Sequence, residues 1–155
     1  LAEEAREALT TEILPRATVV TPNVAEARVL AGEGELEAVA RRIHALGPGT
    51  VVITGGHRDT ATDLLFDGTD LHAIPGERHP DGAAHGSGCT HSSVLAAQLA
   101  LGDTPLEAAR AARRIAADAV RHGLRDIGEG PGPVDALRIG ERAPARVIGS
   151  PRGLA

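Results

Sequence analysis

A chain of 155 residues with 42% apolar and 24% charged residues has the size and composition of one folded domain and is too hydrophobic for general disorder. Its net charge of -5, with acids and bases interspersed, disfavours a nucleic-acid partner, and a single aromatic residue, Phe66, leaves little for base stacking. No apolar run reaches the length of a membrane span, and the N-terminus LAEEAREALT does not look like a signal peptide, so we expect a cytoplasmic protein without a membrane partner.

The first third of the chain predicts helices around one short strand. Residues 1–13 carry apolar side chains at helical spacing, and the β-branched run TVVT at 18–21 predicts a buried strand. Two helices are predicted next, one that begins after Asn23 and ends at Gly32, and one over 35–47. Because the chain lacks an initiator methionine and opens within a helix, we expect it to begin inside a longer protein.

The rest of the chain predicts a strand, a β-hairpin and two long helices. These elements cover 50–56, 61–76, the segment after Cys89 up to Gly102, and 104–123. The last helix has the clearest local signals, with Thr104 as N-cap, Glu107 at the third position and Gly123 as its stop. Residues 141–155 are rich in Pro, Gly and Arg, so we expect a disordered tail after a domain portion over 1–140.

This order of elements predicts an α/β fold with a mainly parallel sheet flanked by helices on both faces. Ligands of such folds bind at the carboxyl ends of the strands. Two glycine-rich stretches, TGG at 54–56 and HGSGC at 85–89, fall at or near strand ends. We therefore expect a ligand site where these stretches meet.

The segment HGSGC predicts an anion site because it lies where a loop becomes a helix. The amides of Gly86, Ser87, Gly88 and Cys89 would lack intrahelical partners and would lie at the positive end of the helix dipole. Cys89 is the single cysteine, and a thiol in this turn is a candidate base or nucleophile because the dipole stabilises a thiolate. The alternative is a flexible loop beside an inert, buried cysteine. The segment matches neither the Walker A nor the GxGxxG pattern.

Two weaker motifs precede it. Asn23 and Glu26 have the spacing of a capping box, which alone would explain both residues, whereas a functional interpretation places their oxygens beside a phosphate-bound Mg²⁺. In ITGGH, the Thr54 hydroxyl and the amides of Gly55 and Gly56 would lie near a nucleotide phosphate, or the segment simply begins the hairpin. The spacings of the seven histidines match no familiar ligand set, so we assign them no metal.

Taken in order, VTPNVAEARVL, VVITGGH, DLLFDGTDLHAI, AHGSGCTHSSVLAAQLALG and GLRDIGEGPGPVDAL closely resemble the C-terminal half of the hydroxymethylpyrimidine/phosphomethylpyrimidine kinases. These are thiamine-biosynthesis enzymes of the ribokinase-like superfamily, and the resemblance covers residues 1–137. It implies a three-layer ribokinase-like fold and an ATP-dependent kinase that phosphorylates 4-amino-5-hydroxymethyl-2-methylpyrimidine and then its monophosphate. It also implies a homodimer of the full-length form.

The resemblance also implies roles for the site residues. Residues 86–89 would form the anion hole for the transferred phosphoryl group, with Cys89 as the catalytic base. Asn23 and Glu26 would support Mg²⁺ and the ATP phosphates, Mg²⁺ being held directly or through water, and residues 54–56 would lie by the nucleotide.

The chain departs from the family in three ways. Thr54 stands where relatives often have lysine, His91 occupies a commonly apolar position, and the N-terminal half that helps to hold the pyrimidine is absent. We therefore expect the nucleotide side of an active site, with weak or no kinase activity from these residues alone. Two alternatives stay open: a non-catalytic nucleotide-binding fragment that needs a partner chain, and a pyridoxal kinase-like enzyme.

Overall fold

A computed structural model describes residues 3–55, 61–79, 82–127, 130 and 132–141. The strands are β1 (Val19–Val20), β2 (Thr50–Ile53), β3 (Asp63–Phe66) and β4 (Leu71–Ile74). The α-helices are α1 (Glu3–Ala8), α2 (Val24–Ala31), α3 (Leu36–His44), α4 (Ser87–Ala100) and α5 (Pro105–Arg121). None of these described helices combines the length and the hydrophobicity needed to cross a bilayer.

The predicted N-terminal helix is shorter and less regular than expected. After α1 the chain continues as a π-helical turn, Leu9–Ile13, and a 3-10 turn, Leu14–Arg16. The hydroxyl of Thr10 donates to backbone carbonyls three and four residues earlier, and Pro15 has no amide to continue the helical ladder. Side-chain bonds of this kind and a proline both disturb the regular α pattern.

The sheet is mixed, in the order β1-β2-β3-β4. β1 pairs with β2 in parallel, Val19 opposite Thr50, whereas β2–β3 and β3–β4 are antiparallel. The α/β class is therefore confirmed, but among the described strands the parallel part is a single pairing, because the hairpin supplies two of the four strands. β2 ends at Ile53, before the predicted 56, because Gly55 adopts a φ of +70° and leaves the sheet.

The hairpin turn is stabilised by one carboxylate. Asp67 Oδ1 accepts hydrogen bonds from the amides of Thr69 and Asp70, at 2.9 and 2.8 Å. These bonds, that from Asp70 first, lower the pKa of Asp67 below its ordinary value. Gly68 sits inside the turn with a φ of +99°, a conformation that favours glycine. The predicted hairpin is thus confirmed with its turn at Asp67-Gly68.

The sheet buries both of its faces under helices, which gives three layers. One apolar cluster joins the sheet to α2 and α3, and its fully buried members include Ala27, Val39, Ile43, Val51 and Ile53. The other cluster joins the opposite face to α4 and α5 around Val52, Leu65, Leu95 and alanines of α5. Every buried residue of α5 is alanine: Ala108, Ala109, Ala112, Ala116 and Ala119. Alternation of side chains along β2 explains this division, since Val51 and Ile53 face one layer and Val52 the other.

Helix boundaries follow the local signals where these are strong. The predicted helix over 104–123 is α5, and it begins with the expected capping box between Thr104 and Glu107. The helix predicted after Cys89 begins three residues earlier, at Ser87, because Gly86 serves as its N-cap. Glu141 ends a 3-10 turn, Ile139–Glu141, and the remainder of the predicted tail, 142–155, lies outside the described residues.

Candidate active site

A cavity of about 320 Å³ opens at the carboxyl ends of β1 and β2, beside the beginning of α4. Five of the predicted site residues line it: Asn23, Thr54, Gly55, Ser87 and Gly88. The main-chain pairing of β1 with β2 continues past the ends of these strands and brings Asn23 and Thr54 together. These two residues form a parallel bridge, and the Thr54 amide donates to the Pro22 carbonyl at 2.9 Å. Asn23 and Thr54, 31 residues apart in the sequence, therefore share one wall of the cavity, as the strand-end argument predicts.

The first turn of α4 offers free amides to this region. Gly86 has a φ of +89°, and the first helical bond runs from the Thr90 amide to its carbonyl. The Ser87 amide is already used, since it donates to the Ala84 carbonyl at 3.1 Å, which is a correction to the expected row of unpaired groups. The amides of Gly88 and Cys89 have no acceptor among the described residues. Two donors at the positive end of a helix remain for an anion.

Cys89 is exposed, which excludes the alternative of a buried, inert cysteine. The thiol does not line the cavity. Each helical residue turns the chain by about 100°, so Ser87, Gly88 and His91 face the cavity within one arc, whereas Cys89 lies about 200° from Ser87. The thiol and the cavity are therefore on different sides of the same turn, and the free amides lie at its end.

Asn23 and Glu26 form the capping box that their spacing predicts. Asn23 Oδ1 accepts from the Glu26 amide and Glu26 Oε2 accepts from the Asn23 amide, both at 2.9 Å. Asn23 also lines the cavity, but Glu26 does not, because it faces an apolar groove along β1 that contains Val20 and Val29. The structural explanation of the motif is thus confirmed, and the structure does not bring Glu26 to the cavity wall.

The donor set at this site fits Mg²⁺ only in part. One carboxylate oxygen of Glu26 and the second lone pair of Asn23 Oδ1 are uncommitted, and oxygen is the ligand that Mg²⁺ prefers. Among the described residues, the one group of three side chains close enough to share a metal is Asp67, Asp70 and His72 at the hairpin turn, and none of them lines the cavity. A magnesium ion at the cavity would therefore take most of its ligands from phosphates and water, which is usual for this ion.

Three charged or polar residues that sequence reasoning did not select also line the cavity. Asp63 is fully buried, and its Oδ2 lies 3.2 Å from Nε2 of the buried His91 and 4.0 Å from Nε of Arg113. Arg113 packs over Gly76, where a Cβ would collide with its guanidinium. The available signals were weak: His91 stood out merely as a polar residue at a commonly apolar position. Arg113 lies next to the buried Ala112, at the border of the alanine face of α5.

A second, larger cavity of about 610 Å³ lies between β4 and α5. It contains none of the predicted site residues, but it shares Glu77, His79, Arg113 and Ala117 with the first cavity, so the two are continuous. Its wall carries three further arginines of α5, at 110, 114 and 121. Arg113 stands at the junction of the two spaces.

Gly56, the remaining predicted residue, lies outside the described part of the chain, and Gly86 caps α4 without lining the cavity. The site that the structure assembles is a cleft lined by two arginines, Arg78 and Arg113, with two free amides at the start of α4 and a thiol nearby. Amides and guanidinium groups bind phosphate oxygens, and the thiolate form of a cysteine takes up a proton.

Comparison with known proteins gives consistent matches. A family model described as phosphomethylpyrimidine kinase matches residues 1–135. A hydroxymethylpyrimidine/phosphomethylpyrimidine kinase of Rhizobium meliloti (strain 1021) is 41% identical over 143 residues, 86% of this chain and 54% of that protein. A pyridoxine kinase of Bacillus subtilis (strain 168) is 36% identical over 151 residues, 90% of this chain and 55% of that protein.

A solved structure agrees with them. The pyridoxal kinase from Staphylococcus aureus in complex with AMP-PCP and pyridoxal is 32% identical, with a TM-score of 0.82 over 90% of this chain and 55% of that chain. The fold is therefore ribokinase-like. The chain spans about half the length of the curated relatives it matches.

Proposed function

This chain belongs to the phosphomethylpyrimidine kinase family, and on that premise we propose that it forms the nucleotide- and phosphate-binding half of an ATP-dependent kinase. The substrates in this proposal are 4-amino-5-hydroxymethyl-2-methylpyrimidine and its monophosphate, in thiamine biosynthesis. The observation that carries it is the cleft at the ends of β1 and β2, where Gly88 and Arg113 line one cavity and the amides of Gly88 and Cys89 have no acceptor among the described residues. A homodimer of the full-length protein belongs to the same proposal and rests on family resemblance, and a cytoplasmic location is proposed with it.

The residues of the cleft would act mainly by position and charge. The Gly88 and Cys89 amides donate to the oxygens of the phosphoryl group in transit, and the Arg113 guanidinium compensates its charge from the floor of the cavity. Asn23, Thr54 and Gly55 line the side on which the remaining phosphates lie. Phosphoryl transfer needs little covalent assistance, so donors fixed at a helix end and at strand ends supply most of what the reaction requires.

Cys89 is the proposed general base. In this proposal Cys89 acts as a thiolate: the oxygen of the substrate hydroxymethyl group bonds to the γ-phosphorus of ATP, the bond between that phosphorus and the ADP oxygen breaks, and the hydroxyl proton passes to the thiolate sulfur, which becomes a thiol. The exposed thiol on the far side of the turn from the cavity supports this role, because an acceptor alcohol must approach from the side opposite the leaving nucleotide.

Mg²⁺ is the cofactor in this proposal, and Asn23 with Glu26 would hold it together with phosphate oxygens and water. When bound, it neutralises charge on the phosphates and orients them. The uncommitted oxygens of the capping box support this assignment, although Glu26 must reach the ion from outside the cavity wall.

Similarity to a pyridoxal kinase structure over nine tenths of the chain supports a second candidate, a kinase that acts on pyridoxal. The half-length match supports a third, a nucleotide-binding module that depends on a partner chain for its second substrate. All three candidates share the nucleotide cleft, and they differ in what lies on the thiol side.

The test begins with binding. Isothermal titration of the purified chain with Mg²⁺ and AMP-PCP is expected to give saturable one-site binding, and no binding at millimolar nucleotide would refute the proposed cleft. ADP release is then measured with ATP, Mg²⁺ and either hydroxymethylpyrimidine or pyridoxal. Turnover that favours pyridoxal selects the second candidate, and binding without turnover on either substrate supports the module.

A pair of variants tests the base. Where turnover is detected, Cys89→Ala is expected to lower it by about 10²–10⁴-fold while nucleotide affinity changes little. Ser93→Ala, an equally small change at another exposed position of α4, serves as the control. Equal turnover in the two variants would remove Cys89 from the mechanism.

A further inference from the structure

The buried cluster under the cleft centres on one carboxylate. Asp63 begins β3 and is fully buried, and its Oδ1 accepts a hydrogen bond from the Gly55 amide at 2.9 Å. Gly55 lies in the cavity wall, in the stretch that follows β2. One face of the carboxylate therefore fixes a main-chain donor at the proposed nucleotide site.

The second oxygen of Asp63 faces two cationic or proton-bearing side chains. Its Oδ2 lies 3.2 Å from His91 Nε2 and 4.0 Å from Arg113 Nε, and no described residue gives it a hydrogen bond. Both ring nitrogens of His91 also lack a hydrogen-bond partner among the described residues, although the imidazole is only 4% exposed. Polar atoms this deeply buried are normally paired, so their arrangement around one charge calls for an explanation.

Burial makes the neighbours of Asp63 essential. A carboxylate removed from water is stable only when opposite charges or donors surround it. Arg113 also lines the cavity and is the less buried of the two neighbours, so a phosphate in the cavity competes with Asp63 for its guanidinium. His91 also lines the cavity, but its side chain is only 4% exposed against 16% for Arg113, and its Nε2 lies toward the carboxylate, so a phosphate competes for it less.

We infer that His91 is a positioning residue: it holds Asp63 in place and thereby fixes the Gly55 amide while Arg113 is free to turn toward a bound phosphate. The inference rests on the proposed function, since it assigns a phosphate to the cavity. It makes α4 bifunctional, with free amides at its first turn and a side chain at its second turn that organises the opposite wall. His91 acts through Asp63 and does not itself contact the ligand in this account.

A packing role for His91 predicts different behaviour. The imidazole would then merely fill space, and leucine, which has a similar volume, would be tolerated or would stabilise the fold. In the positioning account leucine removes the side-chain nitrogen that lies nearest to Asp63 Oδ2, His91 Nε2 at 3.2 Å. Glutamine is expected to restore the contact, because its amide nitrogen overlies Nε2 of histidine, whereas the nitrogen of asparagine overlies Nδ1 and does not reach Asp63.

The experiment compares His91→Leu, His91→Gln and His91→Asn with the wild-type chain. The first measurement is hydrogen exchange of the Gly55 amide by NMR without ligand, and the second is the Kd for Mg²⁺ with AMP-PCP. His91→Leu is expected to accelerate Gly55 exchange and to weaken nucleotide binding, each by about tenfold, because a hydrogen bond to a charged group is disturbed. His91→Gln is expected to stay near wild type, and His91→Asn to behave like the leucine variant.

His72→Leu is the matched control. It makes the same chemical change at another histidine beside an aspartate, with Nε2 3.5 Å from Asp67 Oδ2, at the hairpin and outside the cavity. It is expected to leave Gly55 exchange and the Kd unchanged. Should His91→Leu not fold, the opposite behaviour of the Gln and Asn variants carries the test.

Unchanged Gly55 exchange in both His91→Leu and His91→Asn would overturn the inference. If the wild-type chain binds no nucleotide, the proposed function fails, but the exchange rates of Gly55 still decide whether His91 positions that amide. A failure of one proposal is therefore distinguishable from a failure of the other.

Discussion

Two glycines at the start of α4 provide the sharpest test of the free amides. Gly88 does not have a positive φ, and a Cβ built on it meets nothing within 4 Å, so alanine fits the folded chain and restricts the unfolded one. Gly88→Ala is therefore expected to raise the free energy of unfolding by about 0.5–1 kcal/mol. The open space around that Cβ adjoins the cavity, so the same methyl group would meet an approaching phosphate, and we expect nucleotide affinity to fall by about tenfold or more.

Gly86→Ala is the counterpart. Its Cβ would make an ordinary contact with Val134 Cγ2 at 3.6 Å, so sterics cost little, but its φ of +89° is unfavourable for alanine by about 1–2 kcal/mol. A chain of this size loses about 2–4 °C in Tm per kcal/mol, which predicts a fall of about 2–8 °C. On the same scale, the Tm of Gly88→Ala is expected to rise by about 1–4 °C.

Differential scanning calorimetry gives the two Tm values, and isothermal titration with Mg²⁺ and AMP-PCP gives the affinities. Higher stability together with weaker binding in Gly88→Ala would separate the role of this glycine in the site from its role in the fold. Wild-type affinity in Gly88→Ala would refute the reasoning, since no phosphate could then approach that amide closely. A Gly86→Ala variant as stable as wild type would contradict the strain argument.

Three further expectations concern the scaffold. Thr104→Ala removes the cap of α5 and should lower the free energy of unfolding in urea by about 1 kcal/mol. The Thr104 side chain is also the main cause of the lowered pKa of Glu107, so an NMR titration of the variant should show that pKa rising. The Gly140 amide is the main cause of the lowered pKa of Asp135, so the contribution of this carboxylate to stability is present above pH 3.8 and is lost as the pH falls through its lower pKa in the folded chain. In Asp135→Asn, the free energy of unfolding should depend less steeply on pH in this acidic range. Ile43→Ala, at a fully buried position, should cost about 2–5 kcal/mol by denaturant unfolding, and a loss below 1 kcal/mol would contradict the packing described.

The elements that could be predicted from sequence are those whose ends depend on local chemistry. α5 begins where Thr104 and Glu107 cap it, and α2 begins after Asn23, because a capping box involves residues only three positions apart. The predicted start of α4 lies three residues too late, because a glycine N-cap such as Gly86 gives a weaker signal than Ser, Thr, Asp or Asn. The pairing of the hairpin with β2, which makes most of the sheet antiparallel, is a tertiary choice that no single segment records.

The sequence predicts that the site lies where strand ends meet the start of a helix, but it does not predict the buried side chains of the site. Asn23 and Thr54 line one cavity because parallel strands present their carboxyl ends on the same side. The cluster of Asp63, His91 and Arg113 depends on how β3, α4 and α5 pack, and each of these side chains alone resembles an ordinary polar residue. The orientation of Glu26 away from the cavity likewise follows from the phase of α2 relative to β1.

The alanine face of α5 has a mechanical consequence. An alanine side chain has no rotamers, so Ala116, which lines the cleft, cannot repack when a ligand arrives. This part of the wall moves only with the backbone of α5, so the width of the cleft there changes only if the whole helix shifts. A larger side chain on that face would push α5 away from the sheet and move Arg113 with it. Substrate selectivity is therefore more readily changed by substitutions in the loops than by substitutions along this helix.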